Sequence, residues 1–241
     1  MSVSLPKNIC LLTRIRNEEA IIADFLDYYS DFDIFIYDDA STDRTREIIY
    51  AHPSVRAIIE SDIWDTDRTK AEYENRQAIF ELAKRYGKWD WFVYVDADER
   101  IEFPDINYDD FDAVAMKLFD FYITNEDKRK NYKERKWLGC EYREIVMMFR
   151  NLEGLKYEHR DQREMHMPPT ARIAHAGYVK HYGKAISVEE WEKTCDYYAT
   201  NFPEPYKTKW LNRKGKAIHN QSDFGMPLMQ WHNKEEYGFP L

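Results

Sequence analysis

The chain has 241 residues, of which 44% are apolar, and a formal net charge of −9. This length fits one large domain, or one domain with an appendage, and the apolar fraction is sufficient for a buried core. The negative net charge argues against a general nucleic-acid-binding protein, because such proteins need a basic surface.

Three widely spaced cysteines, Cys10, Cys140 and Cys195, form no C-x-x-C pair. Their odd number and spacing disfavour a disulfide framework or a zinc knuckle and favour a reducing compartment. The N-terminus lacks a signal-peptide pattern, and no run reaches the roughly 18 apolar residues that span a bilayer. We therefore expect a cytoplasmic protein, and a location at the cytosolic face of a membrane stays open.

The first half of the sequence predicts strands that alternate with helices. Short apolar runs indicate strands at residues 8–15, 33–37, 55–59 and 89–95, and apolar residues at helical spacing indicate helices at 18–29, 45–50 and 69–86. We expect Asn17 to cap the first helix, and Thr69 with Glu72 to form a capping box for the third. The alternation predicts an α/β fold with a mostly parallel central sheet and helices on both faces.

The second half is less regular. Residues 113–119 and 144–150 predict strands. The charged segment 125–136 between them predicts a solvated, mobile loop, with a flap that faces the acceptor as the alternative. Ser187 and Glu190 predict another capping box, which opens an extra C-terminal helix. From residue 201 onward the composition predicts an irregular tail packed on the domain.

Polar residues follow three of the predicted strands at their carboxyl ends. They are Thr13-Arg14 with Asn17, then Asp38-Asp39, and then Asp96-Ala97-Asp98-Glu99. Ligands of open α/β sheets bind at this edge of the sheet. The carboxylates of Asp96 and Asp98 repel each other unless a cation or hydrogen bonds intervene, and such a pair suits Mg²⁺ or Mn²⁺. The pattern therefore predicts a site for a metal diphosphate.

Four sequence blocks carry a resemblance to a known family. They are RNEEAIIADFLDYY, FIYDDASTDRT, ENRQAIFELAKRYGKWDWFVYVDADE and VKHYGKAISVEEWEK. In this order they resemble glycosyltransferase family 2, which has the Rossmann-like GT-A fold. The similarity covers residues 8–98 well and 174–193 moderately. It implies a GT-A domain at 1–200, with a nucleotide-sugar-binding half at 1–112 and an acceptor-side half at 113–200, followed by an extension at 201–241.

The resemblance implies a metal-dependent, inverting transferase that moves a sugar from a nucleotide-diphosphate sugar to a hydroxyl acceptor. The acceptor would be a glycan, a lipid-linked compound or another compound with a free hydroxyl, in glycan or polysaccharide assembly. The cofactor would be Mn²⁺ or Mg²⁺. The implied metal ligands are Asp98 and His181. The implied nucleotide-sugar contacts are Thr13, Arg14, Asn17, Glu18, Asp39, Arg76, Asp96 and Lys184, with Asp38 as the substitute for Asp39.

Inversion by direct displacement requires a base that accepts the proton of the acceptor hydroxyl, and a carboxylate serves this role. Alignment on Tyr157 places Glu164 at the position of the family's glutamate, whereas Arg163 stands where the family has histidine. We therefore predict Glu164 as the catalytic base. Glu158 and Asp161 stay open as alternatives.

Other functions fit less of the sequence. Aspartate phosphatases typically carry a D-x-D motif after the first strand, and nucleotidyltransferases carry a Gly-rich loop at that position. The corresponding segment of this chain, TRIRNEE, has neither. A catalytically degenerate module that binds nucleotide sugar or glycan remains the alternative. In the tail, five basic residues between positions 207 and 216 interleave with Trp210 and Leu211, and we interpret them as a solvated basic turn rather than a membrane-surface contact.

Overall fold

The computed structural model describes residues 4–158 and 163–241, except the side chain of Thr69, and shows an α/β fold. Its strands and helices, in chain order, are β1 (Ile9–Ile15), α1 (Ile22–Tyr28), β2 (Asp33–Asp39), α2 (Thr45–Ala51), β3 (Val55–Ser61), α3 (Arg68–Tyr86), β4 (Trp91–Tyr94), β5 (Glu99–Glu102), β6 (Ala113–Phe121), β7 (Trp137–Arg150), β8 (Ile173–His181), α4 (Val188–Asn201), α5 (Tyr206–Leu211), β9 (Leu228–Gln230), α6 (Lys234–Tyr237) and β10 (Phe239–Pro240). The strands form one sheet in the order β3-β2-β1-β4-β7-β6-β8-β5, and β9 and β10 pair with β7.

Four neighbouring strands, β3, β2, β1 and β4, run parallel. The strand β7 is antiparallel to β4, with Val93 opposite Met148. The sheet is therefore mixed, and the predicted parallel arrangement is confirmed for these four strands and not for the pairing of β7 with β4. The direction of β7 in the sheet depends on how the connection before it folds. The apolar pattern of β7 predicts a strand but not its direction.

The chain divides into two compact units. The first comprises the described residues up to Met116 together with Ile145–Gly177, and the second comprises Lys117–Glu144 and Tyr178–Leu241. In the first unit, buried side chains of β1, β2 and β4 pack against α3; for example, Phe80 contacts Phe92 edge to face, with ring centroids 4.9 Å apart. This burial explains the apolar run that forms β4.

Two predicted helix starts are wrong, and both errors concern the cap. Asn17 does not open α1, because it has a positive φ of 54° and its side chain accepts a hydrogen bond from the N–H of Thr42. The helix α3 starts at Arg68, one residue before Thr69, and Asp67 caps it by accepting from the N–H of the third helical residue. An Asx cap outside the predicted capping box therefore fixes this helix start.

One predicted helix cap is confirmed, and it lies in the second unit. At the start of α4, Oγ of Ser187 accepts a hydrogen bond from the N–H of Glu190 at 3.0 Å. The predicted irregular tail contains short helices and strands between its irregular stretches. Trp210 of α5 is buried and stacks on Tyr198 of α4, with ring centroids 4.6 Å apart. Further along, β9 and β10 add to β7. Each of these short elements is stabilised by partners distant in sequence, so local composition did not reveal them.

The charged segment 125–136 is not uniformly solvated. Asp127 and Arg135 are both buried, and the amide N–H of Thr124 donates to Asp127 at 2.9 Å. Arg135 donates to the backbone oxygens of Asp127 and Ala185. Two of its charges therefore fix the segment within the second unit. Among the described helices, none combines the length and apolar content that a membrane span requires.

Candidate functional site

A buried carboxylate at the carboxyl end of β2 is neutralised by two arginines. Arg14, near the end of β1, donates from Nη1 to Oδ2 of Asp39 at 3.2 Å, and Arg68, the first residue of α3, donates to the same oxygen. The side chains of Asp39 and Arg68 are only 3% and 2% exposed. Burial opposes the charge of Arg14, but Glu72, Tyr94 and Asp39 outweigh it and raise the pKa of this guanidinium.

The neighbouring acid, Asp38, has a different role. Its Oδ1 accepts from Nε of Arg46 at 2.7 Å and from the N–H of Ser41 at 3.1 Å. These contacts hold the loop after β2 and connect it to α2. Of the two aspartates, Asp39 is thus the one that joins the arginine network with Arg14 and Arg68.

Trp64 joins the same network, although the sequence did not single it out. The guanidinium carbons of Arg16 and Arg68 lie 3.3 and 3.5 Å from the centroid of its ring. Two cations this close to one centroid must lie on opposite faces, because on one face they would overlap. Trp64 therefore separates two positive charges and stabilises both by cation–π contact. The only signal in the sequence was a Trp within the acidic loop DIWDTDR.

The loop after β1 is attached through its backbone N–H groups to the loop after β2 and to the first residue of α2. The N–H of Asn17 donates to Oγ of Ser41 at 3.0 Å, and the N–H of Glu18 donates to Oγ1 of Thr45 at 2.8 Å. The hydroxyl of Thr13 is buried and has no hydrogen-bond partner among the described residues. The structure thus brings Thr13, Asn17 and Glu18 to the strand edge that the sequence predicted.

The predicted acidic motif forms the turn between β4 and β5. Within the turn, the N–H of Glu99 donates to the carbonyl oxygen of Asp96, and the N–H of Asp96 donates to Oε2 of Glu99, each at 3.0 Å. Arg163 donates to the carboxylates of both residues. Burial opposes the charge of Arg163, but these two acids outweigh it and raise its pKa. Asp98, in the same turn, is half-buried.

Arg163, which the sequence comparison aligned with a histidine of glycosyltransferase family 2, is therefore paired with the first aspartate of the D-x-D. Sequence reasoning noted the replacement but not this contact, since the two residues are 67 positions apart. Glu164, which follows Arg163, accepts a hydrogen bond from the N–H of Val146. Of the alternatives for the base, Glu158 pairs with Lys156 at 3.1 Å, and Asp161 lies outside the described residues.

Arg76 of α3 lies above Tyr94, with its guanidinium carbon 5.1 Å from the ring centroid. Tyr94 packs edge to face against Tyr157, with ring centroids 6.1 Å apart. The hydroxyl oxygens of both tyrosines are buried, and no hydrogen-bond partner occurs for them in the described part of the chain. Burial raises the pKa of Tyr94 to about 12. Both hydroxyls thus stay protonated at neutral pH.

The other two predicted residues, His181 and Lys184, belong to the second unit. Nζ of Lys184 lies 2.6 Å from Oδ2 of Asp120 and 2.6 Å from Oδ2 of Asp223. Nδ1 of His181 lies 2.5 Å from the other oxygen of Asp120, and Arg213 donates to Asp223. Sequence reasoning missed both aspartates, because they come from separate parts of the chain, and it placed Arg213 in a solvated basic turn, whereas its side chain is only 16% exposed.

The charges of this second network support one another. Burial disfavours the ionised form of Asp120, but Lys184 and His181 outweigh it and hold its pKa well below the usual range. Burial also disfavours charge on Lys184, but Asp120, Tyr122 and Asp223 together raise its pKa. Both groups therefore stay charged across the physiological pH range.

No protein-family model matches the chain. It is similar to two uncharacterized proteins, one from Mycobacterium bovis and one from Mycobacterium tuberculosis, each 25% identical over 230 residues. The similarity covers 84% of this chain and 54% of each relative, so the chain spans about half the length of the curated relatives it matches. Neither relative's name indicates an activity, and the glycosyltransferase hypothesis thus depends on the four sequence blocks and on the site geometry.

Proposed function

We propose that the chain is a metal-dependent, inverting glycosyltransferase of GT-A fold, which transfers a sugar from a nucleotide-diphosphate sugar to a hydroxyl acceptor. The observation that supports this most is the network of Arg14, Asp39 and Arg68 at the carboxyl ends of parallel strands. Ligands of such sheets bind at this edge, and buried guanidiniums are well suited to phosphate groups. The alternative is a degenerate module that binds the same donor, or a glycan, without turnover.

In this proposal the donor nucleotide binds along the ends of β1 and β2. Both guanidiniums contact Oδ2 of Asp39, so a base N–H would be accepted by Oδ1. Arg14 and Arg76 would face the diphosphate or the base. The buried hydroxyl of Thr13 and the protonated hydroxyl of Tyr94 would supply further hydrogen bonds to the donor.

The carboxylate oxygens of the turn after β4 fit a hard divalent cation. Mn²⁺ or Mg²⁺, when bound, would act as a Lewis acid that neutralises the departing diphosphate. Because Arg163 already pairs with Asp96 and Glu99, we expect Asp98 to be the main carboxylate ligand. The resemblance adds His181 of the second unit as a ligand and Lys184 as a contact of the phosphates.

The chemical step then needs one proton acceptor. The acceptor hydroxyl oxygen forms a bond with the anomeric carbon, the bond from that carbon to the diphosphate oxygen breaks, and the hydroxyl proton moves to Glu164. The hydrogen bond from the N–H of Val146 fixes the carboxylate of Glu164 against β7. A base that is held in this way keeps its position between turnovers.

A thermal-shift screen tests donor binding. Nucleoside diphosphates and their sugars are each added with Mn²⁺, Mg²⁺ or EDTA, and a ligand at 100 times its Kd stabilises the native state by about 2.7 kcal/mol. We expect a metal-dependent rise in melting temperature with one nucleotide, lost in Asp98→Asn and retained in Asp109→Asn, whose carboxylate is 93% exposed. A folded protein that shows no shift with any nucleotide would overturn donor binding.

Turnover separates the transferase from the degenerate module. With the donor that the screen identifies, we expect Glu164→Gln to slow transfer of the sugar to an acceptor, measured as acceptor-dependent release of the nucleoside diphosphate, by about 10²–10⁴-fold, because general-base catalysis contributes this much. Its nucleotide-induced thermal shift should persist. Glu158→Gln and Asp161→Asn test the two alternative bases in the same assay, and Asp109→Asn is the matched control. Donor binding without measurable transfer by the wild type would favour the binding module.

A further inference from the structure

The strand β3 (Val55–Ser61) is at one edge of the sheet: in the described part of the chain it pairs with β2 on one side and with no strand on the other. Its seven residues are all at least partly accessible, and the side chains of Arg56 and Glu60 are 52% and 33% exposed. An open strand edge presents N–H and C=O groups that pair with another strand, unless the sequence prevents it.

The sequence of this edge, VRAIIES, is complementary to itself. When two copies are aligned antiparallel with Ile58 opposite Ile58, Arg56 of each copy faces Glu60 of the other. Directly opposite residues in such a pair lie about 4.5–5.5 Å apart, so both opposite-charge pairs can form around one two-fold axis. A parallel alignment in register would instead place Arg56 opposite Arg56 and Glu60 opposite Glu60.

Two large apolar side chains close to this edge are exposed. Ile63, two residues after β3, is 78% exposed, and Tyr50 near the end of α2, whose hydroxyl interacts with Glu60 of β3, is 64% exposed. Single exposed apolar residues are ordinary, but two beside one strand edge provide apolar area that a partner would bury.

We propose that two copies of this chain associate through β3, which extends the parallel strands of the first unit into a sheet that continues across a two-fold axis. The partner is a second copy because the charges of the edge complement themselves in the antiparallel alignment. This inference is independent of the proposed enzymatic function, and either can fail without the other.

A charge swap tests the interface. Arg56→Glu places two glutamates opposite each other, and Glu60→Arg places two arginines opposite each other. We expect each single variant to weaken the dimer by about tenfold or more in sedimentation-velocity measurements, because both symmetry-related pairs turn repulsive. The double variant Arg56→Glu/Glu60→Arg should restore dimerisation. Lys193→Glu, at a 60%-exposed side chain of the second unit, is the matched control and should leave the dimer unchanged.

The double variant also controls for folding. In its own chain Arg56 pairs with Asp33, and Glu60 pairs with Arg46 at 3.6 Å; each single variant loses one of these pairs and the double variant loses both. Recovery of the dimer in the double variant would therefore report the interface and not the loss of these pairs. A wild-type chain that is monomeric at all measured concentrations would overturn the proposal. So would a dimer whose affinity is unchanged by the charge reversals.

Cross-linking tests the register. The three native cysteines are buried, so Ile58→Cys introduces a thiol that oxidised glutathione can reach. We expect Ile58→Cys to form a disulfide-linked dimer, because the axis brings the two copies of residue 58 together. Val55→Cys, which would face Ser61 of the other copy, is the matched control and should cross-link much less. Equal cross-linking of the two variants would contradict the alignment.

Discussion

Each unit contains a network of buried charge, and the two networks are built in opposite ways. In the first, one carboxylate, that of Asp39, meets the two cations Arg14 and Arg68. In the second, one cation, Lys184, joins the two carboxylates of Asp120 and Asp223, which also pair with Arg143 and Arg213 respectively. Loss of one cation therefore leaves the first network with a partner for its acid, whereas loss of Lys184 weakens the neutralisation of two acids at once. The difference predicts which side chain is harder to replace.

The largest effect is expected for Lys184→Met. It removes the charge that Asp120 and Asp223 share, so that each depends on its remaining cationic neighbours. Breaking a buried ion pair costs about 3–5 kcal/mol. Because each carboxylate keeps an arginine partner and the two are 17% and 10% exposed, we expect the lower end, about 3 kcal/mol, in urea unfolding. Lys193→Met, at an exposed lysine of α4, is the control. A loss below about 1 kcal/mol for Lys184→Met would contradict the account in which the two carboxylates share this cation.

Arg68→Met tests the other network and should have a smaller effect. Asp39 keeps Arg14, so we expect a loss of about 2 kcal/mol, below the cost of leaving a buried charge without a partner. In an Asp39→Asn background the same change should cost less, because the charge that Arg68 neutralises is gone. A double-mutant cycle measures this coupling. Equal losses in the two backgrounds would show that Arg68 acts through Trp64 rather than through Asp39.

The first network was largely predictable from the sequence, and the second was not. Arg14 and Asp39 follow strands of a parallel sheet, and that topology brings strand ends together whatever the details of the loops. Arg68 was missed because its helix starts one residue earlier than predicted, and Trp64 because an isolated Trp in a loop carries no periodic signal. Lys184 was predicted as a phosphate contact.

Local patterns did not reveal the partners of Lys184 or of Asp96. Asp223 is 39 residues from Lys184 and lies in a tail that the composition predicted to be irregular. Arg163 is 67 residues from Asp96, in a stretch that matches the family poorly. In both cases the contact depends on how distant segments return to the sheet. Periodicity and capping rules describe neighbours within a few residues, so they do not specify such contacts.

The helix caps allow a smaller test that again compares the two units. Ser187 caps α4 in the second unit and Asp67 caps α3 in the first. Each side chain accepts one backbone N–H, so we expect Ser187→Ala and Asp67→Ala each to lower the free energy of unfolding by about 1 kcal/mol. Urea unfolding of both variants measures this. A negligible loss in either variant would mean that another group satisfies the N–H of that helix.

The smallest effect concerns the pH dependence of the second unit, through His219. This half-buried imidazole packs against Tyr122 and Trp191, with ring centroids 4.8 and 5.0 Å apart. Burial lowers its pKa, although its contact with the carbonyl oxygen of Ala217 acts in the opposite direction. The folded state therefore binds this proton less readily than the unfolded state, in which a histidine titrates at about pH 6.5.

The stability that the neutral ring contributes is thus complete above about pH 6.5 and declines as the pH falls below that value. We expect the wild type to lose more stability than His219→Phe between about pH 7.5 and 5.5, since phenylalanine keeps the aromatic packing but does not titrate. Urea unfolding at both pH values measures the difference. His232→Phe, at an exposed histidine, is the control. If the free energy of unfolding changed equally with pH in the wild type and in His219→Phe, the folded state would tolerate protonation of this ring. The remaining solvent contact of the half-buried imidazole would then offset the cost of its charge.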